Sequence, residues 1–141
     1  MNLYRPLNFA LEELVGPEIF QERGERAWEL LNPDALKTLD ALRDKFGALT
    51  VNNWKSGGQF KDSGMRHFNS TVGARWSAHR YGMAFDCKFK DAKPQVVHAY
   101  ILSHADEFPL LTTLEAIYAT PTWLHFDCRN HQRSEIWVVN P

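Results

Sequence analysis

Residues 77–89 read Ser-Ala-His-Arg-Tyr-Gly-Met-Ala-Phe-Asp-Cys-Lys-Phe, and the stretch changes character at Gly82. From Met83 to Phe89 the residues alternate. Ala84 and Asp86 share one face while Phe85 and Cys87 share the other, the pattern of a strand with one side on a core. His79 and Asp86 are seven positions apart, so an unbroken strand would point them to opposite faces. Gly82 offers the turn or bulge that brings both to one side. Downstream, residues 123–128 read Trp-Leu-His-Phe-Asp-Cys, where His125 and Asp127 oppose Leu124, Phe126 and Cys128. Placed across a sheet from Asp86, His125 adds a third donor. Two imidazoles and one carboxylate with an open position are the donor set of a catalytic zinc site. Both cysteines fall on the apolar side, where they read as small buried hydrophobes rather than ligands or nucleophiles.

Working outward, the chain supplies helices on one side and short strands on the other. Between Asn8 and Asn32 the residues Leu11, Leu14, Ile19, Phe20, Ala27, Trp28, Leu30 and Leu31 recur at helical spacing, interrupted at Gly16-Pro17 and Gly24. This predicts short helices with a break. Asn32-Pro33-Asp34 is a helix start, Leu36, Leu39, Leu42 and Phe46 form its apolar stripe, and Gly47 ends it. Residues 48–51 read as a strand. The loop Trp54-Lys55-Ser56-Gly57-Gly58-Gln59-Phe60 then leads through Ser63-Gly64-Met65-Arg66 towards the central stretch and is long enough to line a site. A helix is expected from Pro94 to His104. Strands are expected at 110–117 and 123–128, paired about Thr120-Pro121, with a last strand at 135–139. The expectation is one α+β domain over residues 1–141, with N-terminal helices in 1–47 and a metal-site core in 48–141, its helices backing an antiparallel sheet.

Composition narrows the function classes. At 141 residues, 44% of them hydrophobic and 13% aromatic, the chain is long enough for one real core and too short for two. A formal net charge of -1 lacks the positive field that nucleic acid or an anionic membrane attracts, so neither is an expected partner. Glu12 and Glu13 interrupt the N-terminal region where a secretory signal needs an apolar run, and no later run reaches spanning length. A cytoplasmic product without a signal peptide, with no membrane insertion and monomeric, is expected. Cys87 and Cys128 are too few for a disulfide scaffold and lack the CxxC pairs of a structural zinc module. The isolated His67, His98, His104 and His131 read as surface or hydrogen-bonded residues. Ser77 lacks the GxSxG context of a hydrolase nucleophile, and Gly57-Gly58 lacks the GxxxxGK[ST] of a phosphate loop. Lys88, Lys90 and Lys93 are expected to solvate a strand end.

The pattern Ser77-x-His79-x-x-Gly82-x-Ala84-x-Asp86, followed by Trp123-x-His125, resembles the zinc-dependent M15 peptidases. That group includes D-Ala-D-Ala carboxypeptidases and phage L-alanyl-D-glutamate endopeptidases, and its fold is shared by the hedgehog signalling domain. The resemblance spans about Val51 to Asn130. It implies one Zn2+ held by His79, Asp86 and His125, and Arg66 contacting a carbonyl or carboxylate of the substrate, with Gln59 lining the cleft. The implied substrate is the stem peptide of bacterial peptidoglycan. A phage-type lysis enzyme of this kind reaches the cell wall through a separate membrane pore such as a holin, or acts as a virion component. The sequence departs from the family at one point: the acidic general base expected shortly before the last His is replaced by Thr120-Pro121-Thr122-Trp123-Leu124. If a hairpin closes near 117–122, Glu115 lies opposite His125 and becomes the candidate base. Asp127, on His125's own face, is the alternative, or serves to orient that His. The rival expectation is a zinc-stabilised module of the same fold that binds cell wall or protein without hydrolysis.

Overall fold

Asn32 starts the longest helix. Its Oδ1 accepts from the backbone N–H of Asp34 at 2.8 Å and of Ala35 at 3.3 Å, and Pro33 takes the first helical position. A cap of this kind contributes about 1 kcal/mol. Gly47, at φ 88°, stops the helix. In the computed structural model, which describes residues 3–141, this helix is α2 (Pro33–Phe46), preceded by α1 (Pro17–Arg23) and followed by α3 (Pro94–Ser103). Short helical turns fill several connections, among them Gly24–Leu30 and Ala78–Tyr81. No helix among the described residues is long and apolar enough to cross a membrane.

Five strands form one sheet: β1 (Leu49–Thr50), β2 (Ala84–Phe89), β3 (Thr113–Glu115), β4 (Leu124–Asp127) and β5 (Trp137–Val139), in the order β1-β2-β4-β3-β5. Asp86 pairs with His125 across β2 and β4, and Thr113 with Asp127 across β3 and β4. The fold is therefore a single α+β domain, but its sheet is mixed, which corrects the expectation of antiparallel pairing throughout. β5 runs parallel to β3, with Thr113 opposite Trp137 and Glu115 opposite Val139. The reason is positional. The chain reverses after β4 as in a hairpin, yet both edges of β4 are taken by β2 and β3, so the returning strand docks on the outer edge of β3. A strand antiparallel to β4 is then parallel to β3.

Alternation sorts the sheet into two faces. Phe85, Cys87, Leu124 and Phe126 are all fully buried and join Leu36, Leu39 and Leu42 of α2 and Val97 and Ile101 of α3 in one core. Each such side chain contributes roughly 1.5–3 kcal/mol by leaving water. Both thiols are free and lie on this side, Cys128 with its Sγ 3.8 Å from Thr38 Oγ1. Burial pushes the Cys87 thiol up and that of Cys128 up to about 12, so both stay protonated and inert at neutral pH.

Segment 62–82 borders the opposite face and is tied to the N-terminal region. Met65 N–H donates to Leu14 O at 2.8 Å, and Gly16 N–H returns to Met65 O at 3.1 Å. Gly64 is required at this crossing, because a Cβ there would stand 2.1 Å from Leu14 O. Lys88 departs from its expected solvated position. Its Nζ donates to Val51 O, to Ser63 Oγ at 2.7 Å and to Asp86 O at 3.3 Å, and lies 4.1 Å from the Phe60 ring centroid. Burial pulls its pKa down to about 8, and the ammonium ties residues 51–63 to β2.

Candidate metal centre

His79 sits in the turn Ala78–Tyr81 just before β2. Ser77 caps that turn by accepting from His79 N–H at 3.3 Å, which gives the Ser77 hydroxyl a structural part. Gly82 closes it at φ 66°, and a Cβ at this position would meet Leu30 O at 2.1 Å. The seven-residue spacing thus converges through a turn rather than a bulge. His79 and Asp86 do not share a strand; the chain delivers one from the turn and the other from β2.

The hydrogen bonds of the two imidazoles decide which nitrogen faces inward. His79 Nδ1 lies 2.9 Å from Gly64 O, a group that only accepts, so Nδ1 carries the proton and Nε2 presents a lone pair. His125 Nε2 lies 3.1 Å from Asp127 Oδ2 and donates to it, which leaves His125 Nδ1 facing Asp86. Asp127 is fully buried and held by Arg129, whose Nε and Nη2 donate to Oδ1 and Oδ2 at 2.8 and 2.6 Å. Paired carboxylates of this kind fix the tautomer and raise the basicity of a ligating His.

His79 Nε2, His125 Nδ1 and Asp86 Oδ1 form a nearly equilateral triangle with edges of 3.3, 2.9 and 3.3 Å. Donors about 2.1 Å from one ion in tetrahedral arrangement stand about 3.4 Å apart. The three residues therefore fit a single metal ion and can bind one. Their electrostatics agree. Burial would raise the Asp86 carboxyl, but His79 and His125 overrule it and hold it far below the usual carboxylate range. The Asp127 carboxyl is likewise depressed against burial, by His125 and Arg129. Burial pulls the His79 imidazole down against the pull of Asp86, keeping it neutral. Burial opposes charge on His125 as well, yet Asp127 and Asp86 lift its pKa to about 9. Two depressed carboxylates around these imidazoles favour a positive charge at the trio, which is compatible with a metal ion there.

The trio opens onto a cleft of ≈ 630 Å³ lined by Arg66, Trp76, Glu115, Trp123 and Arg129, among others. Glu115, at the end of β3, points its Oε2 to 3.9 Å from His125 Nδ1 and leaves 26% of its side chain exposed. Arg66 donates through Nε to Asp62 O at 2.8 Å and sets Nη2 3.6 Å from Asp86 Oδ2. Gln59 does not join this group. It is exposed on the 54–60 loop and is not among the residues lining the cleft, because that loop is drawn towards α1 and β2 by Trp54 against Phe20 and Phe60 over Lys88.

Two contributors escaped the sequence reading. Arg129 follows Asp127 by two positions and shares its face by strand parity, so the alternation that exposed His125 and Asp127 also pointed to it. The Gly64 carbonyl is a backbone group set by tertiary contact with Leu14 and leaves no side-chain signal.

Fold and centre together define a single-domain α+β protein with a buried His–Asp–His cluster at the base of an open cleft. Comparison of the chain with protein families, curated proteins and solved structures returns no match.

Proposed function

We propose that this protein is a zinc-dependent peptidase that hydrolyses amide bonds in the stem peptides of bacterial peptidoglycan, in the manner of the M15 peptidases its motifs resemble. The observation that carries this reading is Glu115. Its carboxylate stands 3.9 Å from a donor atom of the metal trio, in the lining of the cleft, with no arginine or lysine paired to it among the described residues. Its ion-pair contact is with His125 of the trio itself, so the carboxylate faces the reacting centre, where a general base must stand.

Two imidazoles and a carboxylate at these spacings suit Zn2+, which when bound lowers the pKa of water and polarises a carbonyl. The chain's own groups supply the rest. Glu115 Oε2 takes a proton from the attacking water and delivers it to the amide nitrogen as the C–N bond breaks, returning to its ionised form. Arg66 donates to the substrate's carbonyl or carboxylate from beside Asp86. Asp127 holds the His125 ring and is itself engaged by Arg129 on both oxygens, which favours Glu115 over Asp127 as the base. The cellular setting proposed with this reading is action at the cell wall, after passage through a separate pore or as part of a virion.

Mass spectrometry of muropeptides from purified sacculi incubated with zinc-loaded protein tests the proposal. New amine and carboxyl termini are expected, and Glu115→Gln should abolish them while retaining zinc. Intact stem peptides after long incubation would overturn the reading in favour of a zinc-stabilised binding module.

A further inference from the structure

The cleft holds three arginines, and two of them are matched. Arg66 stands beside Asp86, and Arg129 grips Asp127. Arg75 is the third. It is exposed, it lines the same cleft, and among the described residues it has no carboxylate within ion-pair distance. Its guanidinium carbon instead lies 5.4 Å from the ring centroid of Trp76. Trp76 lines the cleft too, yet 72% of it is exposed. Single exposed apolar residues are ordinary on a protein surface, but an indole stacked with an unmatched cation inside a cleft is a pairing of two ligand-binding groups.

The loop that presents the pair is firmly built. Arg80 gathers it by donating from Nη1 to Phe68 O at 2.8 Å, from Nη2 to Ser70 O and from Nε to Ala74 O at 3.3 Å. Ser77 N–H closes its end on Ala74 O at 3.1 Å. Gly73, at φ 76°, lets the loop descend onto Arg66, where a Cβ would come within 2.5 Å of Nη1. Residues held this way bind a ligand with little loss of conformational freedom.

We propose that Arg75 and Trp76 are the specificity-determining pair of the cleft. Arg75 receives a free carboxylate of the substrate peptide through two parallel N–H donors, and Trp76 lays its indole against the adjoining peptide backbone. The proposal rests on reading the cleft as a peptide-hydrolysing site. Charge balance selects the ligand: Glu115 is reserved for the proton, Arg66 beside Asp86 is left to the scissile carbonyl, Arg129 is held by Asp127, and Arg75, the cation with no carboxylate of the protein, calls for an anion. Stem peptides carry free carboxylates, and amidation removes their charge with little change of shape.

The experiment compares, by calorimetry, a stem peptide with its counterpart in which every free carboxylate is amidated. Zinc-loaded Glu115→Gln protein is used so that no turnover occurs. The amidated peptide should bind about tenfold more weakly, the scale of a lost charge-assisted hydrogen bond. Adding Arg75→Gln should bring both peptides to the same weaker affinity. Adding Trp76→Ala should weaken both and preserve their ratio. Equal binding of the two peptides before Arg75 is changed, an undiminished ratio after it, or no binding of either would overturn the proposal. Hydrolysis of the free-acid peptide by the wild-type protein is assayed separately; its absence counts against the peptidase reading alone, because the binding ratio does not depend on turnover.

Discussion

At the scale of single residues, the centre depends on groups that never touch an ion. Asp127 fixes which nitrogen of His125 faces inward, and Arg129 fixes Asp127. Asp127→Asn keeps the shape but loses the charge and offers Arg129 a poorer partner. Zinc affinity should fall roughly 10- to 100-fold, measured by competition with a chelating dye. Unchanged affinity would mean that the pair serves the fold and not the centre. Glu115→Gln should leave that affinity within about twofold, since a carboxylate that stands off the trio, as the proposed base does, contributes little to holding the ion. The two variants therefore separate holding the metal from using it.

At the scale of elements, the turn that feeds β2 is the most exacting piece of backbone. Gly82→Ala would place a side chain at positive φ and against Leu30 O, so a loss of about 2 kcal/mol or more is expected in urea unfolding. Helix α3 carries a different vulnerability in His98, which is buried with no partner for Nε2. Burial lowers its pKa in the folded protein, so the unfolded chain takes up the proton first as pH falls through about 6.5. Stability linked to this group is present above that value and is lost below it. The decline in urea midpoint between about pH 7 and pH 5 should be shallower in His98→Gln than in the wild type. These elements also mark how far the sequence could be read. Alternation over 83–89 and 123–128 exposed two strands and both faces, because a half-buried strand writes its environment into every second residue. Asn32, Pro33 and Gly47 did the same for α2. The parallel docking of β5 was not legible, since it follows from which strand edges are already occupied. The place of Gln59 was not legible either, because loop direction is set by distant anchors such as Phe20 and Lys88.

At the scale of the whole molecule, the centre adds a second junction between parts of the chain that already share one core. The N-terminal region holds Gly64, Gly64 aims His79, β2 brings Asp86, and β4 brings His125. An ion bound to all of them should stabilise the native state, by about 2.7 kcal/mol at a free concentration 100 times its Kd, seen as a rise in Tm on adding zinc. The most direct test is metal content, determined by plasma mass spectrometry after zinc equilibration and gel filtration, for the wild type beside His79→Gln and His125→Gln. About one equivalent in the wild type and a small fraction of that in both variants is the predicted result. A wild type that retains no zinc, or variants that each retain the full equivalent, would contradict it.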